Sequence, residues 1–473
     1  MPGDLQRHAP GQARRSRRLV LSLFAPQYRA ATIGVVAAIT LFAFEGIAVA
    51  TVMPVVAMEF DGLGFYAWAF NAYVACSLVG MVVSGTWCDR DGPRRAMWTG
   101  LFVFAGGAIV AGFAWSMPVL IAARGAQGMG GGALIVATYI VIARAYPEDL
   151  RPRAFSLLAA SWVVPAIVGP LIAGWLTETI SWRLAFWLVP FVLLLPALLL
   201  RKVLREHDGG TGEDRGGRIV PAIATAVGLT LAMFALMRPA GLPLWVSALG
   251  LLVGLVVVAF AVRPLLPARA LRLGRGLPTT VLMRGILAGA FFGAEAFIPL
   301  ALVEQRALTV TQAGLALSVS ALGWCAGSYV QSRIPESSDR ARTVSVGALV
   351  IAAGLATLPL CLLPGLSPLV CAISYFIASV GMGLCFPSIA VQTLRLSPEA
   401  EQGANSAALQ VSDAILSALC LGLLGAIHAG AVADGGATAS TYESLWWICA
   451  GIALAGAAVA TRMRPAALKA LVR

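Results

Sequence analysis

The chain alternates between long apolar runs and short polar segments. A membrane-spanning helix needs about 20 consecutive apolar residues, and fourteen runs reach that length. They cover 30–58, 66–87, 96–114, 118–145, 154–177, 184–203, 219–237, 243–262, 277–303, 310–331, 343–363, 367–394, 402–427 and 443–461. The pattern predicts an all-α polytopic membrane protein. The longest polar break that carries charge, 201–218, is Gly-rich and separates six runs from the remaining eight.

Composition agrees. Apolar residues make up 59% of the 473, charged residues 12%, and mean hydropathy is +0.85. Soluble domains carry about 45–50% apolar and about 25% charged residues, so a set of ordinary soluble domains is excluded. The net charge of +12 could suggest a nucleic-acid partner. Here, however, the basic residues sit in short clusters between apolar runs, as topology signals do. With the N-terminus placed in the cytoplasm, 29 of the 34 basic residues fall on the inner side. Only Arg183, Arg238 and Arg306 fall outside, and Arg124 and Arg284 lie within runs. This ratio predicts an even number of spans with both termini cytoplasmic. The first run is too long for a signal peptide, and no cleavage site follows it. The eight cysteines form no CxxC pair, and no disulfide framework or zinc site is expected. No nucleophile–His–acid set and no phosphate loop is visible, so the expectation is a protein that is not an enzyme, with no metal and no cofactor.

Three motifs stand out. Between the second and third runs lies GTWCDRDGPRR, with Gly85, Asp89, Arg90, Asp91, Gly92, Arg94 and Arg95. It reads as a tight turn at the membrane surface, with Gly92 supplying backbone freedom and the charges pairing with each other or with helix ends. The fourth run holds Arg124, Gln127, Gly128 and Gly131 on one helical face. A buried arginine in a span costs about 2.5–3.5 kcal/mol even on a mild scale, so Arg124 needs an acidic or carbonyl partner. The fifth run holds Pro165, Gly169, Pro170 and Gly174, which would kink it and thin its surface for a neighbour.

In order and spacing these motifs resemble the major facilitator superfamily: its loop signature, its arginine motif and its antiporter motif. The segment from Ser181 to Pro190 resembles the start of the sixth helix in that family's drug:proton antiporters. Fourteen runs rather than twelve resemble its fourteen-span branch. The resemblance implies two six-helix bundles plus two linker helices, with N- and C-termini cytoplasmic. The division expected is a tail over 1–29, a bundle over 30–203, a loop and linker helices over 204–276, a bundle over 277–461 and a tail over 462–473.

There are departures from the family pattern. Glu45 stands nine residues before Pro54, where the family typically has Asp. Asp413 replaces a usual Gly, Glu295 is not required by the pattern, and the second copy of the loop signature, near Gly327 to Arg342, is degenerate.

Five ionisable residues lie within runs: Glu45, Arg124, Arg284, Glu295 and Asp413. Arg284, near the inner end of its run, is expected to snorkel to the surface. The three acids must be neutral, paired or facing water, and are the candidates for proton coupling. Asn71, Tyr73, Tyr139, Phe291, Phe292, Trp324, Phe386, Gln392, Asn405 and Gln410 are further candidates for the substrate cavity, with Arg124. His428, at the outer end of its run, is expected at the surface.

The expected function is a proton-coupled efflux antiporter of the inner or plasma membrane, exporting amphipathic, apolar or cationic small molecules by alternating access. Protons are the coupling ion, Glu45 carries them, and Arg124 tunes Glu45 or touches substrate. The expected partners are a small-molecule or lipid substrate and membrane lipids, with no nucleic acid, and the chain is expected to act as a monomer. One alternative is an exporter or flippase for a lipid or dedicated metabolite, such as a self-made antibiotic. A membrane-embedded enzyme or receptor is a third, opposed by the missing catalytic set and the missing soluble domain.

Overall fold

A computed structural model describes residues 23–147, 150–206, 209, 216–236, 243–335, 338–398 and 401–465. Most of both expected tails, and nearly all of the 207–215 part of the long loop, lie outside the described residues.

The described residues form helices and connecting turns, with no strand among them. In chain order the long helices are α1 Arg29–Glu59, α2 Tyr66–Asp91, α3 Pro93–Gly112, α4 Met117–Ala145, the two pieces α5a Arg151–Ala160 and α5b Val163–Thr179, α6 Leu184–Glu206, α7 Ile219–Leu236 and α8 Leu244–Ala261. Then follow α9 Leu277–Arg306, α10 Val310–Ser332, α11 Arg340–Thr357, α12 Leu369–Leu396, α13 Gln402–Ala433 and α14 Ala439–Val459. Among the described residues, thirteen helices are long and apolar enough to cross a membrane, and α5b is a shorter apolar one. At 1.5 Å per residue the 31-residue α1 is about 46 Å long, more than a bilayer core requires.

Local chemistry sets the helix ends. Gly92 ends α2 at φ 98° and ψ 172°, a region open essentially to glycine, and Pro93 starts α3 at once. Thr309 and Gln312 form a capping box at the start of α10, and the Asp339 carboxylate accepts from the Ala341 amide at 3.0 Å to start α11.

Two expectations are corrected here. The fifth run is not one kinked helix but breaks after Ala160. Pro165 has no amide to give, and its ring crowds the carbonyl four residues earlier, that of Ser161. That carbonyl accepts from the Thr40 hydroxyl of α1 at 3.4 Å instead. The thirteenth run, expected to stop at 427, continues as helix to Ala433 and carries His428 inward.

Helices α1 to α6 pack on one another, as do α9 to α14. The linker helix α7 packs on α8, α2 and α13. Close packing depends on glycine: a Cβ on Gly128 of α4 would lie 2.0 Å from the Tyr73 carbonyl oxygen of α2, and one on Gly132 would lie 2.1 Å from that of Ser77. The two groups meet mainly through α5b on α10 and α2 on α13, with α1 against α9 and α10. Three polar contacts join them. Tyr66 donates to the Ala296 carbonyl at 2.7 Å, the Thr311 amide donates to Glu178 at 2.8 Å, and Ser318 donates to the Ile167 carbonyl at 3.1 Å.

Candidate transport site

Glu45 sits halfway along α1 and is fully buried. One of its oxygens, Oε1, accepts from both Arg124 and Gln127 of α4, the latter at 3.0 Å. Arg124 also donates to Gln127 Oε1 at 3.0 Å and to the Ala69 carbonyl at 3.4 Å, and its guanidinium lies 4.3 Å from the centre of the Tyr73 ring. The partner that a buried arginine requires is therefore Glu45. The other carboxylate oxygen, Oε2, is buried with no hydrogen-bond partner among the described residues. A buried polar atom without a partner is costly. A proton placed there would neutralise the acid and leave Oε1 in place to accept from Arg124 and Gln127, with the Arg124 bond weakened by the loss of the opposing charge.

The second group holds a different ion pair. Arg284 of α9 meets Asp413 of α13 at 3.4 Å, and Ser417 donates to the same acid at 3.5 Å. Arg284 therefore does not snorkel. Its guanidinium lies 3.9 Å from the centre of Phe386, because a desolvated cation gains more from a carboxylate and a ring face than from a long reach to the surface. Phe386 leads to Trp324 at 5.0 Å, Trp324 to Phe291 at 6.0 Å, and Phe291 stacks on Tyr375 at 4.8 Å. The Tyr375 hydroxyl donates to Glu295 at 2.7 Å. One aromatic line thus joins both acids of the second group. Phe292 flanks it at 5.4 Å from Phe291 and stays exposed.

Other candidates fall elsewhere. Tyr139 of α4 packs on Phe155 of α5a. Asn71 turns to Met233 of the linker helix α7 rather than toward the acids. Asn405 bonds Ser397 at 3.0 Å, near the face of the chain ends. Gln392 and Gln410 are half-buried and make no side-chain hydrogen bond among the described residues. His428 is not at the surface: it is 1% exposed, packed between the rings of Tyr66, Phe297 and Tyr442.

In the α2–α3 turn, Asp91 pairs with Arg90 at 3.4 Å and Arg95 at 3.3 Å, and Arg95 covers Trp87. Asp89 and Arg94 are also engaged. Gly85 faces open space, Gly169 makes ordinary contact with Phe44 and Ile47, and Gly174 meets Thr311 of α10 so closely that a Cβ would lie 2.6 Å from its Cα. Pro170 packs beside Gly314 of α10. Of the glycines and prolines of the fifth run, Pro170 and Gly174 thus line the junction between groups, and Pro165 sets the break.

The sequence profile of the Major Facilitator Superfamily matches residues 33–421. The chain belongs to that superfamily of transporters. It is 24% identical to the multidrug transporter protein MdtP of Bacillus subtilis over 406 residues, covering 83% of this chain and 74% of that one. It is 27% identical to a probable multidrug-efflux transporter of Mycobacterium tuberculosis over 421 residues, covering 85% of this chain and 88% of the relative. Among solved structures, a peptide transporter POT in complex with sulfate superposes with a TM-score of 0.67 at 16% identity, covering 91% of this chain and 93% of the other. A POT family transporter in complex with a thioalcohol-conjugated peptide gives 0.68 at 17%, covering 91% and 94%. At such identities these two speak for the fold alone. Fold and family together make the chain a multi-pass membrane transporter.

Sequence reasoning missed two features of the site. Tyr375 carries no motif, and the partnership of Arg284 with Asp413 joins residues 129 positions apart. The signal available was the presence of an arginine and an acid in different spans of one group, each needing a partner.

Proposed function

We propose that the chain is a proton-coupled antiporter that exports amphipathic or cationic small molecules by alternating access. The observation that carries the reading is the half-satisfied Glu45. Its Oε1 is held by Arg124 and Gln127, while Oε2 is buried without a partner. A carboxylate fixed through one oxygen, with the other left over, is suited to taking up and losing one proton. Each proton moving down 100 mV supplies roughly 2.3 kcal/mol, and each pH unit adds about 1.4 kcal/mol. The multidrug relatives support a broad small-molecule substrate class. Asp413 and Glu295, joined by an aromatic line, offer a cationic amphiphile both charge and ring faces.

The orientation in the membrane is read from the arginine count. The face of the chain ends carries most of the basic residues and is read as cytoplasmic, in the plasma or inner membrane. The contacts at Tyr66, Thr311 and Gly174 then close the outer side. The α2–α3 turn, with Asp89, Gly92, Arg94 and Arg95, lies on the inner side, where the two groups would meet when the carrier opens outward.

The test is flux of a lipophilic cationic dye in proteoliposomes under an imposed pH gradient. Wild type should accumulate dye against its gradient, and Glu45→Gln should lose gradient-driven flux while keeping dye binding. Normal gradient-driven flux in Glu45→Gln removes Glu45 from the mechanism. Gradient-driven movement of a neutral lipid, with none of the dye, turns the reading to a lipid exporter of the same fold.

A further inference from the structure

A second titratable cluster lies in the far half of the molecule, away from Glu45. The Tyr442 hydroxyl of α14 donates to Glu304 Oε2 of α9, and His428 Nε2 of α13 lies 3.4 Å from the same hydroxyl. A hydroxyl has one proton. Because this one goes to the carboxylate, the oxygen can only accept from the imidazole, so Nε2 carries hydrogen. The three side chains therefore form a directed line from imidazole to phenol to carboxylate. It ends at Glu304, which is half-buried near the far end of α9.

The line sits under the junction of the two groups. Tyr66 comes from α2, in the first group, and is fully buried, with its ring 6.1 Å from His428 and 5.5 Å from Phe297. Its hydroxyl is committed to the Ala296 carbonyl at 2.7 Å. The groups around His428 can be named element by element. Tyr66 comes from α2, Glu304 from α9 and Tyr442 from α14. The turn Leu63–Phe65 and the helix α7 carry no titratable side chain. Arg306, two residues beyond Glu304, is taken up by the carbonyls of Cys361, Leu363 and Leu366. Tyr375 of α12 is taken up by Glu295.

We propose that Glu304, Tyr442 and His428 form a second proton-binding site whose occupation loosens the contact between the two helix groups at Tyr66. This rests on reading the chain as an alternating-access carrier. A neutral imidazole packs among three rings at little cost. An imidazolium in the same place has the Glu304 carboxylate a full phenol away, and burying a charge without a direct partner is expensive. Withdrawing Tyr66 would admit water to the ring. By linkage, a proton that binds better to the parted arrangement shifts the balance toward it, by at most about tenfold per pH unit for one proton.

The experiment uses the full chain in lipid nanodiscs, with spin labels on Trp115→Cys and Leu366→Cys, both exposed at the far ends of the two groups, and with Cys325→Ser to remove the exposed native thiol. Distance distributions are recorded from pH 8 to pH 5 without substrate or gradient, in a Glu45→Gln background that silences the first site. The long-distance population should grow several-fold per pH unit on acidification. It should stop responding in His428→Gln and in Tyr442→Phe, the latter keeping the ring and losing only the relay hydroxyl. An undiminished response in either variant, or no response in the Glu45→Gln parent, overturns the proposal. Failure of proton coupling at Glu45 is read separately, in the dye flux, and leaves these distances unaffected.

Discussion

Breaking the Glu45–Arg124 pair from one side should cost far more than replacing it whole. Arg124→Met leaves a fully buried carboxylate with one neutral donor, Gln127 Nε2 at 3.0 Å. Removing one partner of a buried pair costs about 3–5 kcal/mol, because the remaining charge is uncompensated. Glu45→Leu leaves Arg124 with two neutral acceptors, Gln127 Oε1 and the Ala69 carbonyl, and with the face of Tyr73. A desolvated cation on a ring gains up to about 2 kcal/mol, so this variant should lose less, about 2–3 kcal/mol. The double replacement removes both charges and should fall within about 1 kcal/mol of wild type. The coupling is then about 4–8 kcal/mol, or roughly three to six decades in the unfolding equilibrium. The assay is equilibrium unfolding from mixed micelles by titration with dodecyl sulfate at neutral pH, followed by tryptophan fluorescence. If the single losses add to within about 0.5 kcal/mol of the double, the two side chains are energetically independent and the pair is no centre of the first group.

Three further outcomes follow from geometry. Gly128→Ala puts a Cβ 2.0 Å from the Tyr73 carbonyl oxygen and should destabilise the α2–α4 contact by about 1–3 kcal/mol in the same titration. Gly106→Ala, which faces open space, should cost nothing; equal losses at both would refute the close approach. Gly92→Val forces a branched side chain into φ 98°, a strain of about 1–3 kcal/mol, and should slow turnover while leaving substrate affinity alone; weakened affinity at full turnover contradicts that role. Asp413→Asn and Glu295→Gln should each weaken a cationic ligand by about 1–3 kcal/mol more than a matched neutral one. Equal weakening of both ligands would make these acids structural.

The sequence alone determined the class of fold. Span length is fixed by the thickness of a bilayer, and a run of about 20 apolar residues is readable without any partner. All fourteen expected runs correspond to helices, and the α2–α3 turn was legible because only glycine tolerates its backbone at position 92. Arg124 announced its need for a partner, since an unpaired guanidinium in a span is too costly to leave.

What the sequence left open was which residues meet. Nothing local distinguishes an arginine that snorkels from one that pairs, and Arg284 pairs with an acid 129 positions away. His428 looked like the end of a span because polarity along the chain was the only measure available. Its burial is set by α2, α9 and α14, whose rings close over it. The break in the fifth run lies in between. Pro165 marks it in the sequence, but the freed Ser161 carbonyl finds its donor on α1, 121 positions away. Apolar length is a property of one segment and survives being read alone. Pairing energies belong to two segments at once, and only the packed helices decide them.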